Sequence, residues 1–116
     1  DYRSLTVYLL TNFDSTTEED LERVYTLRDL GLNPYVMIYN KEDFVKCDKN
    51  GKPVGRKPEK ELRKKYTQEQ IQHFDVCWKI QRWVNNRIIF RRCLRFEDFY
   101  GGNPKRVESA LGSVLQ

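Results

Sequence analysis

The sequence predicts one α/β domain that spans residues 1–116 and contains three short parallel strands with packing helices. Two apolar runs, at residues 5–10 and 35–39, flank a segment whose apolar residues recur at helical spacing. Strand, helix and strand in this order form a βαβ unit, in which the strands are parallel and the crossover is right-handed. A third apolar run at residues 87–90 extends the pattern to βαβαβ, which is half of a doubly wound sheet or part of a barrel.

The first strand and the helix after it are predicted from local signals. Residues 5–10, LTVYLL, alternate too little for a half-exposed strand, so a strand buried on both faces is expected. Residues 14–17 each qualify as the N-cap of the helix, and Thr16 has capping-box spacing with Glu19. Gly31 is expected to end the helix before the second strand. The apolar face of the helix is expected to be formed by Leu21, Val24, Tyr25, Leu27 and Leu30.

Beyond the second strand, the composition changes. Residues 41–66 carry ten basic and five acidic side chains. Within them, residues 46–58 are predicted to be an exposed basic loop that contains several glycines and prolines. The helix after this loop is expected to begin at Glu59 or Thr67 and to end at Asn85. The elements expected after it are the third strand at 87–90, a helical turn at 96–100 and a final helix at 103–115.

The composition excludes several classes of protein. No apolar run approaches the ~18 residues that a membrane-spanning helix requires. The first residues lack a basic start followed by an apolar stretch and a small-residue cleavage site, so no signal peptide is expected. The cysteines at positions 47, 77 and 93 are odd in number and widely spaced, which is not typical of a secreted disulfide framework. We therefore expect a cytoplasmic protein with reduced thiols and no contact with a membrane.

Ligands of parallel α/β sheets bind beyond the carboxyl ends of the strands, where loops and helix N-termini converge. In this chain, that edge is expected to carry residues 11–14 after the first strand, Tyr39 and Asn40 after the second, and Arg91 and Arg92 after the third. The hydroxyl of Thr11 and the amide of Asn12 precede a helix N-terminus, which suits an anionic or polar ligand group. A purely structural role is the favoured alternative, since polar residues of this kind commonly shape turns and cap helices.

Two further patterns bear on metal binding and catalysis. His73 and Cys77 lie four residues apart on a predicted helix, so both can face one metal ion, with Cys47 or Cys93 as a further ligand. No close CxxC pair accompanies them, so the sequence favours ordinary core cysteines and assigns no metal ligand. His73 is the only histidine, and the chain has neither a recognisable catalytic triad nor a phosphate-binding glycine motif. No catalytic residue is therefore assigned.

A run of basic residues suggests a binding function from another class. Arginines that alternate with aromatic residues suit phosphate contact combined with base stacking. The alternative function is therefore a nucleic-acid or phosphate-binding module that uses residues 79–95, with Arg87, Arg91 and Arg92 as contact residues. The net charge of +4 gives this alternative only modest support. The basic residues of the run are Lys79, Arg82, Arg87, Arg91, Arg92 and Arg95.

The chain also contains two blocks, VYLLTNFDSTTEEDLERVYTLRDLGLNPYVMIYNK and QRWVNNRIIFRRCLRFEDF, that resemble part of a known superfamily. They are similar to the C-terminal part of radical S-adenosylmethionine (radical SAM) proteins, of the short kind found in anaerobic gut bacteria and phages. The resemblance covers residues 5–42 and 78–100. It implies an iron–sulfur enzyme whose partial (β/α)6 barrel holds S-adenosylmethionine at the strand ends and cleaves it reductively to a 5′-deoxyadenosyl radical.

The resemblance implies positions for the cofactor and also a missing part. It places Leu10, Thr11 and Asn12 near the amino-acid or ribose part of S-adenosylmethionine, and Ile38 and Tyr39 near its adenine. The chain lacks the CxxxCxxC motif whose thiolates bind the [4Fe–4S] cluster. It is therefore expected to be a C-terminal fragment, inactive alone towards its unknown substrate. We expect either the missing N-terminal half or self-association to cover its sheet.

Overall fold

The computed structural model describes residues 5–100, so the predicted final helix at 103–115 lies outside the described residues. The elements of the described part are β1 (Thr6–Thr11), α1 (Thr17–Asp29), β2 (Asn33–Ile38), α2 (Lys41–Phe44), β3 (Val45–Cys47), β4 (Pro53–Arg56), α3 (Glu59–Leu62), α4 (Gln68–Asn85), α5 (Arg87–Arg92) and α6 (Phe96–Tyr100). None of these helices is both long enough and apolar enough to cross a membrane.

The βαβ unit at the start of the chain is confirmed. β1 and β2 are parallel neighbours, and Tyr8 lies opposite Tyr35 in their register. Thr16 is the N-cap of α1: its hydroxyl accepts the backbone N–H of Glu19, whose carboxylate accepts the N–H of Thr16. Gly31 follows the helix with φ 79°, in the left-handed region where glycine carries no Cβ penalty. Local chemistry therefore fixes both ends of α1.

The predicted third strand is wrong: within residues 5–100 the sheet of β1 and β2 has two strands, and Arg87–Arg92 form the helix α5. The side chain of Asn86 accepts hydrogen bonds from the backbone N–H groups of Ile88 and Ile89, which begins a helix at this point. Of the apolar residues in this run, Ile89 is buried while Ile88 is 59% exposed. A four-residue apolar run fits either element by periodicity, and here the N-cap decides in favour of the helix.

Residues 46–58 contain a short antiparallel hairpin rather than an irregular loop. β3 pairs with β4, and Val45 lies opposite Arg56. The carboxylate of Asp48 accepts the backbone N–H groups of Asn50 and Lys52, which closes the turn that contains Asn50 and Gly51. Most of this hairpin is exposed.

Of the two expected starts of the second helix, Thr67 is confirmed for α4, while Glu59 begins the separate short helix α3. α4 begins after its N-cap Thr67, which forms a capping box with Gln70. Its buried side chains belong to two apolar clusters. In the first cluster, Trp83 packs beneath the β1–β2 sheet with α1 and α5. In the second, the Phe74 ring stacks on the Phe44 ring, with centroids 4.2 Å apart.

Candidate functional site

Among the residues that the structure describes, the β1–β2 sheet is covered on one face only, in contrast to the strands buried on both faces that the sequence predicts. Helices cover the side chains of alternate residues on one face, such as Leu9 and Val36. The other face is the open face, which we define as Tyr8, Leu10, Tyr35 and Met37. These four side chains are 67%, 45%, 44% and 47% exposed, respectively. Contiguous apolar surface of this kind is typical of an interaction site.

The two edges of the same sheet differ. At the β2 edge, the side-chain amide of Asn85 accepts the N–H of Val36 at 2.8 Å and donates to its carbonyl at 3.0 Å. Gln81 donates a further hydrogen bond to that carbonyl, at 3.1 Å. Within the described part of the chain, no strand pairs with the outer edge of β1. One edge is therefore closed by side chains of α4 and the other is open.

An asparagine in the left-handed conformation follows each parallel strand. Asn12 has φ 63° and Asn40 has φ 55°, a region that asparagine tolerates better than most residues. The amide of Asn12 donates to the backbone carbonyl of Tyr39 at 3.2 Å, so it links the two loops. The rings of Phe13 and Tyr39 meet edge to face, with centroids 4.8 Å apart. A small cleft of ≈ 240 Å³ lies beside these residues.

The structure distributes the five predicted cofactor residues over two sides of the sheet. Asn12 is half-buried and Tyr39 is exposed at the carboxyl ends of the strands, and Leu10 lies on the open face. Thr11 is buried, and its hydroxyl donates to the carbonyl of Met37 at 3.0 Å. Ile38 is buried among the residues of the second apolar cluster. A ligand at this edge can therefore meet Thr11 and Ile38 only through their backbone groups.

The predicted basic contact residues lie on α5, where Arg87, Arg91 and Arg92 are all exposed. Only Arg87 lines the neighbouring groove of ≈ 750 Å³, which we call the basic groove and define by Lys41, Trp78, Arg82 and Arg87. Amide and apolar side chains complete its lining, which includes no carboxylate among the described residues.

Lys41 is the residue of the basic groove that the sequence pattern did not reveal. Its ammonium lies 5.5 Å from the centroid of the Trp78 ring and donates to Gln81 at 2.7 Å. Burial lowers the pKa of Lys41, because desolvation disfavours the charged amine. Lys41 is far from the arginine run in the sequence and reaches it only through the packing of α2 beside α4, so no spacing rule points to it.

A third group of polar side chains lies between α1 and α4. Asp20, His73 and Cys77 each offer a ligand atom, and these atoms all lie within 4.8 Å of one another. The helical spacing of His73 and Cys77 is visible in the sequence, but no sequence pattern connects Asp20 with them. Cys47 lies on the exposed hairpin and Cys93 packs in the Trp83 cluster, so the structure places neither in this group.

Burial of Cys77 determines the protonation state of its thiol. It raises the pKa of the Cys77 thiol to about 12, while the neighbouring Thr11 hydroxyl and the Asn12 backbone N–H act in the opposite direction. The nearby Asp20 carboxylate raises this pKa further. The thiol is therefore protonated at neutral pH when no cation is bound.

No protein-family model matches the chain, and no curated protein or solved structure is significantly similar to it. The resemblance to radical SAM proteins consequently remains an expectation from the quoted sequence blocks. The proposed function is therefore based on the geometry of the candidate sites.

Proposed function

We propose that this chain forms the last strands of a partial radical SAM barrel and contributes to the binding of S-adenosylmethionine and substrate. The proposal is based on the difference between the two faces of the β1–β2 sheet, of which one is covered by helices and the other is exposed. In a (β/α) barrel, helices cover the outer face of the strands and side chains of the inner face line the interior. The open face has the position of such an interior, since α1 and α4 cover the opposite face.

The edges of the sheet support the same proposal. In an incomplete barrel, the first and the last strand each have a neighbour on one side only, and every strand between them pairs on both sides. β2, whose outer edge is occupied by Asn85 and Gln81, suits the terminal position. The open edge of β1 suits a strand whose neighbour belongs to the missing N-terminal half. We therefore infer that the occupant of this edge is a preceding barrel strand.

The proposed role of the chain in cofactor binding is limited to the strand ends. Asn12 and Tyr39 would contact S-adenosylmethionine through polar and ring atoms, and Leu10 would contact it from the open face. The three cysteines do not fit a [4Fe–4S] cluster, because they lie in three different parts of the fold. The cluster would belong entirely to the N-terminal half, and this chain alone is proposed to be inactive.

A complementation experiment tests this proposal. The chain is combined, under anaerobic conditions, with the upstream or separately encoded polypeptide that carries CxxxCxxC, and the release of 5′-deoxyadenosine is measured. We expect release from the combination and none from the chain alone. Asn12→Ala should weaken S-adenosylmethionine binding by ~10-fold, as expected for the loss of one hydrogen-bonded contact of about 1.4 kcal/mol. Asn50→Ala, on the distant hairpin, is the control and should leave binding unchanged. Absence of such a polypeptide, or of 5′-deoxyadenosine, would contradict the proposal.

The basic groove supports a second candidate function, the binding of single-stranded nucleic acid. This second function is supported by three cationic side chains, Lys41, Arg82 and Arg87, that line the groove together with the Trp78 ring. Among the described residues, no carboxylate lines the groove. Cations that contact phosphates and an aromatic ring that stacks on a base are the two recurrent components of such sites. Fluorescence anisotropy of a labelled oligonucleotide over a range of salt concentrations measures this activity.

Two double variants with equal loss of charge distinguish the groove from the rest of α5. Arg82→Ala with Arg87→Ala should abolish salt-dependent binding, whereas Arg91→Ala with Arg92→Ala should reduce it only slightly. An equal loss of oligonucleotide affinity in the two double variants would indicate general attraction to a basic surface. Absence of binding to the unmodified chain would eliminate this second function.

A further inference from the structure

We propose that Asp20, His73 and Cys77 form a binding site for one Zn²⁺ ion. This site lies beside the proposed S-adenosylmethionine edge, since the Thr11 hydroxyl and the Asn12 backbone N–H are next to the Cys77 thiol. Its three ligands all belong to this chain, so it does not depend on the missing half of the barrel. Asp20 lies in the first turns of α1, and His73 and Cys77 lie four residues apart on one face of α4. A bound ion would therefore connect two helices that are distant in sequence.

The distance between two of the ligand atoms matches zinc geometry. Zinc bonds of about 2.0–2.1 Å to nitrogen and about 2.3 Å to sulfur, at tetrahedral angles, separate the two ligand atoms by about 3.5 Å. The distance from Cys77 Sγ to His73 Nε2 is 3.5 Å. A thiol–imidazole hydrogen bond also has this length, so the distance alone does not establish the site. Asp20 supplies the further observation.

Asp20 is 1% exposed and only one of its carboxylate oxygens is hydrogen-bonded. The hydroxyl of Ser15 donates to Oδ1 at 2.6 Å, and the guanidinium of Arg23 also bonds to Oδ1. Oδ2 is buried and has no hydrogen-bond partner among the described residues. A buried carboxylate oxygen without a partner is costly, and a cation beside it would remove that cost. Ser15 and Arg23 would then orient the carboxylate, as outer partners of metal ligands commonly do.

The ligand types select the metal. Mg²⁺ and Ca²⁺ prefer oxygen ligands, whereas a set of one thiolate, one imidazole and one carboxylate suits Zn²⁺. Three protein ligands leave a fourth tetrahedral position for water or another donor, as in many catalytic zinc sites. His73 lines a cleft of ≈ 560 Å³ together with Thr16 and Thr67, the N-caps of α1 and α4. Of the three ligands, His73 is the one that borders this cleft, so an ion would approach the site from the His73 side.

Titration with Co²⁺, a spectroscopic substitute for Zn²⁺, tests the proposal on the full chain. We expect one equivalent of Co²⁺ to bind and to produce a thiolate-to-cobalt charge-transfer band. Cys77→Ser should abolish this band. Cys47→Ser is the matched control, because it removes an exposed thiol outside the site and should leave the band unchanged. A band that persists in Cys77→Ser, or disappears in Cys47→Ser, would overturn the proposal.

A second measurement separates lost binding from lost folding. His73 is only half-buried, so His73→Gln should keep the circular dichroism spectrum of the unmodified chain. We expect this variant and Asp20→Asn to bind Zn²⁺ at least ~10-fold more weakly, in line with the loss of a metal contact. Zn²⁺ should raise the Tm of the unmodified chain and of Cys47→Ser, but not that of His73→Gln. An unchanged Tm of the unmodified chain, or the same rise in all three, would exclude the site.

Discussion

The side-chain amide of Asn85 hydrogen-bonds both backbone groups of Val36, accepting from the N–H at 2.8 Å and donating to the carbonyl at 3.0 Å. A neighbouring β-strand would supply the same donor and acceptor at this edge. Exposed strand edges are templates for unwanted pairing, and proteins commonly cover them. Asn85 therefore ends the sheet on the β2 side, because its amide makes the hydrogen bonds that a neighbouring strand would make.

Replacing Asn85 should destabilise the protein. Asn85→Ala leaves the N–H of Val36 without its partner, which is expected to lower the free energy of unfolding by ~1–3 kcal/mol. Urea denaturation measures this change, and hydrogen exchange of the Val36 amide should accelerate in parallel. Gln72→Ala, at an exposed position of the same helix, is the control and should change stability little. Equal stability of the two variants would show that the amide of Asn85 contributes nothing to the edge.

The open face should cause the isolated chain to self-associate, as the sequence predicts for a sheet without its cover. Leu10 lies opposite Met37 in the strand register, so Leu10→Glu with Met37→Lys places an attractive ion pair on that face. This double variant should be monomeric over a range of concentrations at which the unmodified chain forms larger species. Sedimentation velocity distinguishes these states.

A matched pair of substitutions elsewhere serves as the control for self-association. Val54 and Leu94 are exposed apolar residues outside the open face. Val54→Glu with Leu94→Lys introduces the same two charges as the open-face variant and also removes two exposed apolar side chains. This control variant should associate like the unmodified chain. A monomeric unmodified chain would refute the prediction directly.

The capping box of α1 should make stability depend on pH. Hydrogen bonds from the backbone and side chain of Thr16 lower the pKa of Glu19, so this stabilisation is present above the unfolded pKa of glutamate. It is lost as the pH falls through the lowered pKa of the folded state. Glu19→Gln keeps the capping geometry, as Gln70 does in α4, and should therefore flatten the acid limb of a plot of Tm against pH. Glu18→Gln, in the same turn but outside the box, should leave the slope of that limb closer to the unmodified chain.

The left-handed backbone of Asn40 leads to a prediction about its replacement. The side chain of Asn40 makes no cap hydrogen bond to α2, so its main adaptation is to a φ of 55°. Asn40→Ala is expected to cost up to ~1 kcal/mol, because asparagine also carries a Cβ but tolerates the left-handed region better than alanine does. Asn40→Gly should cost less, because glycine adopts it freely. Urea denaturation of the two variants gives the comparison, and a glycine variant less stable than the alanine variant would contradict the assignment.

Local signals were sufficient to predict the βαβ unit. The Thr16–Glu19 capping box and Gly31 act within a few residues of the chain, so their effect does not depend on distant contacts. The element at 87–90 was predicted wrongly because its four apolar residues fit a strand as well as a helix, and the outcome depends on one distant contact and one local cap. Asn85 already occupies the β2 edge that a third strand would need, and Asn86 caps a helix instead.

The candidate sites show the same division between local and distant information. The spacing of His73 and Cys77 on one helix face is a local property, and it was visible in the sequence. The approach of Asp20 depends on how α1 packs against α4, and that of Lys41 on how α2 packs beside α4. Spacing rules describe one element at a time, so neither residue could be assigned to its neighbours without the fold.

α4 contributes to two cores, and this has a consequence for how the chain unfolds. Its first half supplies Ile71, Phe74 and Cys77 to the cluster beneath the hairpin, and its second half supplies Ile80, Trp83 and Val84 to the cluster beneath the sheet. Neither core can lose this helix without exposing apolar side chains of the other. The hairpin region and the βαβ unit should therefore unfold in a single cooperative transition, although the β1–β2 sheet and the β3–β4 sheet have no strand in common.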